Sequence, residues 1–231
     1  MRIRALATDY DGTLAADGRV DEATLDALRR LKASGRRLIV VTGRRAEDLL
    51  AVFPPAAGLC DRVVAENGGT LCRPASHDER LLTSPVDERL VGALREQGVA
   101  PLSVGAAVIG TTVAHEEAAL AAARRLGVDV ATARNNEALM LLPRGVDKAS
   151  GLRVALGELG LAPGSVVGVG DAENDVPLVR LCGFGAAVAN AAPAVKAVVD
   201  LVLRGSCGAG VRELIGAVLG GDLVAAPHGP S

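Results

Sequence analysis

Ile3-Arg4-Ala5-Leu6-Ala7-Thr8-Asp9-Tyr10-Asp11-Gly12-Thr13 is the stretch on which the fold turns. The apolar run Ile3 to Ala7 reads as a buried strand, and it runs out on two carboxylates and a glycine. A core strand built this way delivers charge to the rim of a sheet, where open α/β folds keep their ligands. Two carboxylates at ~4 Å, with an effective dielectric of ~20, repel by about 4 kcal/mol. A cation or a proton has to share the site.

Working outward, Arg37 to Val41, Val63 to Ala65 and Val166 to Val169 are equally short and rich in branched residues, as parallel strands buried on both faces require. Helical patterns lie between them. Asp21 caps a helix in which Leu25, Leu28 and Leu31 share a face and Gly35 ends the run; Ala46 to Phe53 stops at Pro54-Pro55; and Leu152, Ala155, Leu156 and Leu159 recur at helical spacing after Lys148. This alternation predicts an α/β fold with a doubly wound parallel sheet. Residues 80–147 read differently, with helices over Asp87 to Gln97 and His115 to Leu126 among strand-like Leu102 to Thr111, Val128 to Ala133 and Ala138 to Leu142. None of these strands ends on an acid and a glycine. The expected organisation is a core of residues 1–79 and 148–231 with a smaller inserted α+β domain at 80–147. The Ala/Gly/Pro-rich tail Ala225 to Ser231 is expected to fray.

Composition narrows the function. The 231 residues are 49% apolar, enough for a full core, with a formal net charge of −2 and 1% aromatics, which leaves no basic footprint and almost nothing to stack bases on. Nucleic acid is not an expected partner. Cys60, Cys72, Cys182 and Cys207 have no metal-binding or disulfide spacing and read as reduced thiols. No run reaches the ~20 apolar residues of a membrane span, so a soluble, cytoplasmic protein without membrane contact is expected. No sequence pattern marks an oligomeric interface.

Two further strand tips carry polar groups. Val41 leads into Thr42-Gly43-Arg44, which offers a hydroxyl, a permissive glycine and a guanidinium suited to phosphate oxygens. Val169 leads into Gly170-Asp171-Ala172-Glu173-Asn174-Asp175, more acids than a helix start needs. Lys148 follows the cap residue Asp147, so it occupies the helix end where a cation is disfavoured, and the better reading is a lysine held among carboxylates. In such a sheet Asp9, Asp11, Asp171 and Asp175 converge without histidine or clustered cysteine, and all-oxygen ligation selects Mg²⁺ over Zn²⁺. Glu66-Asn67-Gly68-Gly69 reads as a hairpin turn, with Asn67 a side candidate for substrate contact. Asn135-Asn136-Glu137 reads as a polar turn, and His77, His115 and His228 as isolated and exposed. Glu173 stands where a third glycine would be needed after Gly168-Val-Gly170, which excludes a dinucleotide fingerprint.

Asp9-x-Asp11-Gly-Thr13, Thr42-Gly-Arg44, Lys148 and Gly170-Asp171-x-x-Asn174-Asp175 stand in the order of four motifs that the chain shares with the haloacid dehalogenase superfamily. It resembles the phosphatase branch whose cap is inserted between the second and third motifs, a branch of sugar phosphatases and archaeal-type phosphoglycolate phosphatases. The resemblance implies Asp9 as nucleophile, forming an aspartyl-phosphate, and Asp11 as acid and then base with its backbone carbonyl on the metal. It implies Thr42, Gly43, Arg44 and Lys148 around the phosphate or leaving group, Asp171 and Asp175 on Mg²⁺, and Asn174 orienting the lysine or the substrate. Tyr10 would contribute only its backbone. The expected function is a Mg²⁺-dependent phosphatase for a small phosphorylated metabolite, phosphoglycolate or a sugar phosphate. A phosphomutase of the same fold and a non-catalytic phosphometabolite-binding module stay open as alternatives, though intact Asp9 and Asp11 argue against the second. The slowest phosphate-monoester hydrolyses need ~10²¹-fold acceleration, roughly 29 kcal/mol, which no single group supplies.

Overall fold

The computed structural model describes residues 3–135 and 137–223. Asn136, His228 and the tail Ala225 to Ser231 lie outside the described residues. Twelve strands follow in chain order among the described residues: β1 (Ala5–Thr8), β2 (Arg37–Val41), β3 (Arg62–Ala65), β4 (Thr70–Arg73), β5 (Asp78–Leu81), β6 (Ser103–Val104), β7 (Ile109–Thr112), β8 (Val130–Asn135), β9 (Ala138–Pro143), β10 (Val166–Gly170), β11 (Phe184–Ala187) and β12 (Leu201–Val202). Eight form one sheet in the order β12-β11-β10-β1-β2-β3-β4-β5, parallel from β12 to β3 and antiparallel at β4 and β5. The chain winds from β1 toward β2 on one side and returns to β10 on the other. β1 is therefore the point where strand order reverses, the place at which open α/β sheets form a crevice.

Both faces of this sheet are covered, which is why its strands read as continuous apolar runs. Leu6, Leu38 and Val40 pack with Leu28, Leu31, Leu214 and Ile215, whereas Ala5, Ala7, Ile39 and Val41 pack with Leu152, Leu156 and Leu178 on the opposite face. Successive residues alternate between two cores, as the pleat demands. The helix Glu22–Ala33 starts where expected, with Asp21 accepting from Thr24 N at 2.6 Å, a cap worth about 1 kcal/mol.

The second sheet, β6-β7-β9-β8, is antiparallel, and the helices Glu88–Glu96 and Glu116–Leu126 cover one of its faces through Leu90, Leu94, Ala119 and Ala123. Its other face looks toward the large sheet. The expected single strand over Leu102 to Thr111 is two strands, because residues 105–108 turn the chain back on itself. β5 also extends the large sheet to Leu81, so residues 80 and 81 pair with β4 rather than joining the second sheet. All four cysteines are free, Cys60 and Cys72 buried, the other two half-buried. Burial pushes the Cys60 and Cys182 thiols up to about 12, which keeps them inert. His77 is exposed, but His115 is half-buried, with a ring nitrogen 3.0 Å from Ala100 O. Among the described residues no helix is long and apolar enough to cross a membrane.

Candidate active site

The parallel pairing of β1 with both β2 and β10 brings three strand tips to one edge, so Asp9, Thr42 and Asp171 leave adjacent strands in the same direction. Asp9 N donates to Val169 O at 3.0 Å, fastening the first tip to the third. Lys148 opens the helix Lys148–Leu159, held by a reciprocal cap in which Asp147 Oδ1 accepts from Ser150 N and Asp147 N donates to Ser150 Oγ. That cap aims the lysine inward. Its Nζ donates to Asp9 Oδ1 at 2.6 Å and to Asp175 Oδ1 at 2.5 Å, and Lys148, Asp9 and Asp175 are 1%, 4% and 0% exposed.

Carboxylate oxygens of Asp9, Asp171 and Asp175 lie within 4.8 Å of one another. Asp175 Oδ2 accepts from Asp171 N and Ala172 N at 2.9 and 3.0 Å, and Asp171 Oδ1 accepts from Thr13 Oγ1 at 2.6 Å. The packing admits no side chain at Gly12, which has φ +81° and where a Cβ would stand 2.4 Å from Asp171 Oδ2. Burial, and then Asp175, hold the Asp9 carboxyl well above the usual carboxylate range despite Lys148. Burial likewise raises Asp171. For Lys148 burial alone would favour the neutral amine, but Asp175 and Asp9 outweigh it and keep the ammonium protonated. Three acids against one ammonium leave the cluster short of positive charge by two, which a divalent cation with a preference for oxygen donors balances. The residues fit such a metal.

Asp11 stands apart from this cluster. Its carboxylate is held by both nitrogens of the Arg44 fork, Nε at 2.6 Å and Nη2 at 2.7 Å. The expectation that Arg44 reaches the phosphate therefore meets a guanidinium already engaged by Asp11 and lying 5.6 Å from the Tyr10 ring centroid. Tyr10 itself is fully buried, with its hydroxyl donating to Gly18 O at 3.0 Å and its ring against Phe53. Thr42 is buried at the second tip, where its Oγ1 accepts from Arg44 N at 3.1 Å beside Gly43. Asn174 lines the same cavity as Lys148, but its hydrogen bond goes elsewhere. Its Nδ2 donates to Asn67 Oδ1 at 3.0 Å, and its buried Oδ1 meets no donor among the described residues.

Asn67 is thus both in the hairpin turn between β3 and β4 and in the site. Glu66, Thr13 and Asn190, whose Nδ2 donates to Gly12 O at 2.8 Å, also support the site without having been assigned a role from sequence. For Glu66 and Asn67 a signal was present: they follow β3 just as the motif residues follow the neighbouring strands. A cavity of about 860 Å³ lies between the two sheets, with Asn67, Lys148 and Asn174 on the core side and Ala131, Ala133 and Leu142 on the other. That is the size of a small-metabolite site.

The family model of haloacid dehalogenase-like hydrolases matches residues 6–97 and 107–215. The chain belongs to this family. Among its relatives, the phosphoglycolate phosphatase of Natronomonas pharaonis is 31% identical over 92% of this chain and 96% of its own. The phosphoglycolate phosphatase of Methanopyrus kandleri is 30% identical over 90% and 94%. A haloacid dehalogenase-like hydrolase from Bacteroides thetaiotaomicron has the same fold, with a TM-score of 0.77 at 20% identity over 94% of this chain and all of that one. The chain is accordingly a hydrolase of the haloacid dehalogenase family, and the phosphatase class expected from the four motifs holds.

Proposed function

We propose that this enzyme is a Mg²⁺-dependent phosphatase of small phosphorylated metabolites, phosphoglycolate or a sugar phosphate, working through an aspartyl-phosphate on Asp9. The observation that carries the reading is Lys148 buried between Asp9 and Asp175 with Asp171 beside them. The names of the Natronomonas and Methanopyrus relatives support phosphoglycolate. The cap-side lining, small at Ala131 and Ala133 and charged at Glu116, Arg134 and Arg144, supports a polar leaving group.

Asp9, Asp171 and Asp175, with the backbone carbonyl of Asp11, would hold the metal, which supplies charge neutralisation and polarisation of the phosphoryl oxygens when bound. The residues perform the rest. An Asp9 oxygen attacks phosphorus in line as the ester oxygen leaves opposite, forming one P–O bond and breaking another. Lys148 Nζ offsets the repulsion between carboxylate and phosphoryl group and keeps Asp9 aimed. Thr42 Oγ1 accepts from Arg44 N and keeps its own proton to donate to a phosphoryl oxygen. Asp11 gives a proton to the departing alkoxide and recovers one from the water that opens the aspartyl-phosphate. Since Arg44 occupies both Asp11 oxygens, that transfer requires the fork to loosen, and Arg44 positions the acid rather than the substrate. The second sheet acts as a cap that excludes water over the site.

The test is phosphate release from p-nitrophenyl phosphate and from a panel containing phosphoglycolate and sugar phosphates. Release is expected to need Mg²⁺ and to stop with EDTA. Turnover indifferent to EDTA would overturn the metal, and isomerisation without phosphate release would indicate a mutase. The raised carboxyls of Asp9 and Asp171 add a pH signature, since their protons must leave before a cation enters. In the metal-free protein such groups bind more protons folded than unfolded, so their contribution to stability falls as pH rises through their raised values. The Mg²⁺-induced rise in Tm should therefore be larger at pH 8 than at pH 5. An equal rise at both would contradict the linkage.

A further inference from the structure

Glu66 is a buried carboxylate that the chemistry above does not use. It is 3% exposed, follows β3, and stands at φ +48° with Asn67 at φ +51°, two consecutive residues in a region that non-glycine residues seldom occupy. Its side chain leaves the large sheet and enters the turn between β6 and β7. There Oε1 accepts from Ala106 N at 3.0 Å, and Oε2 accepts from Ala107 N at 2.8 Å and Val108 N at 3.1 Å. The joint has no slack, because a Cβ at Gly105 would lie 2.4 Å from Glu66 Oε2 and one at Gly69 would lie 2.4 Å from Ala107 Cβ.

The same segment is fastened to the active site from behind. Glu66 N donates to Arg44 O and Asn67 N to Thr42 O, both at 2.9 Å, so the residues that grip the cap turn also brace the second strand tip. The Asn67 amide then bridges Asn174 of the core and Met140 Sδ of β9 at the mouth of the cavity. A satisfied carboxylate could serve stability alone. Against that, this one also lines a cleft of about 350 Å³ together with Gly43 and Arg44, so its grip on the cap turn sits directly beside the second strand tip.

We propose that Glu66 is a positioning residue of the hydrolysis: by seating the cap turn on the strand tips it fixes the spacing between Asn67 and the cap wall at Ala131 and Ala133, and so the fit of the leaving group. The inference rests on phosphatase action at this site. Its test compares two constants, KM for the best ester of the panel above and the inhibition constant of inorganic phosphate, which fills only the phosphoryl end of the site. In Glu66→Ala the KM should rise ~10-fold or more while the phosphate constant stays within ~2-fold. Gly105→Ala, which displaces the carboxylate from the cap side, should give the same split and carries the test should Glu66→Ala not fold. Glu66→Gln, which keeps one accepting oxygen, should fall between wild type and Glu66→Ala. A lower Tm with both constants unchanged, or with both moved together, would overturn the positioning role. Absence of turnover in the wild type would overturn the phosphatase reading itself, whereas wild-type turnover with an unchanged ratio in the variants overturns only the role of Glu66.

Discussion

Asp9→Asn is expected to lower kcat by at least ~10⁴-fold while leaving the metal-free fold at least as stable as the wild type. The first effect follows from the loss of the attacking oxygen's charge. The second follows from the crowding of Asp9, whose carboxyl is buried and faces Asp175 and Asp171 with only one ammonium to share. An amide at this position removes one charge from a cluster with too many and can still accept from Lys148 Nζ, now 2.6 Å from Asp9 Oδ1. Steady-state kinetics together with urea unfolding in EDTA separate the two. Residual turnover within ~100-fold of wild type would rule out Asp9 as the nucleophile.

Lys148→Met should have the opposite balance, costing stability as well as activity. Methionine fills similar space but leaves Asp9 and Asp175 buried without their counter-charge, and breaking a buried pair from one side costs about 3–5 kcal/mol. The loss should be largest near neutral pH and shrink in acid, where the raised Asp9 carboxyl takes up a proton instead. Added Mg²⁺ should restore part of it. Urea unfolding at two pH values, with and without Mg²⁺, reads all three effects. Unchanged stability at neutral pH would mean that the lysine is not what holds the acids together.

These effects trace to residues whose meaning was readable at different distances along the chain. Asp9, Thr42 and Asp171 were legible because each directly follows a short run of branched or apolar residues, and Lys148 because a cation at a helix start contradicts the helix dipole. The edges of the large sheet were not. β5 consists of Asp78, Glu79, Arg80 and Leu81, all exposed, and takes its strand conformation from pairing with β4 rather than from any alternation of its own. β11, with Gly185 between Phe184 and Ala186, and the two-residue β12 likewise carry no branched run. Pairings across long sequence separations were equally hidden. Arg44 reads as a phosphate ligand until the fold sets it against Asp11, and Glu66 reads as part of a turn until residues some forty positions later wrap their N–H groups around it. The turn at 105–108 is hidden for the same reason: the anion that holds it follows β3 of the other sheet.

Acid quenching during turnover, followed by borohydride reduction and peptide mass analysis, examines the chemistry at its source. A phosphoryl adduct confined to Asp9, formed only when Mg²⁺ is present and missing from Asp9→Asn, is the expected outcome. Rapid turnover with position 9 unmodified, or an adduct on another side chain, would contradict it.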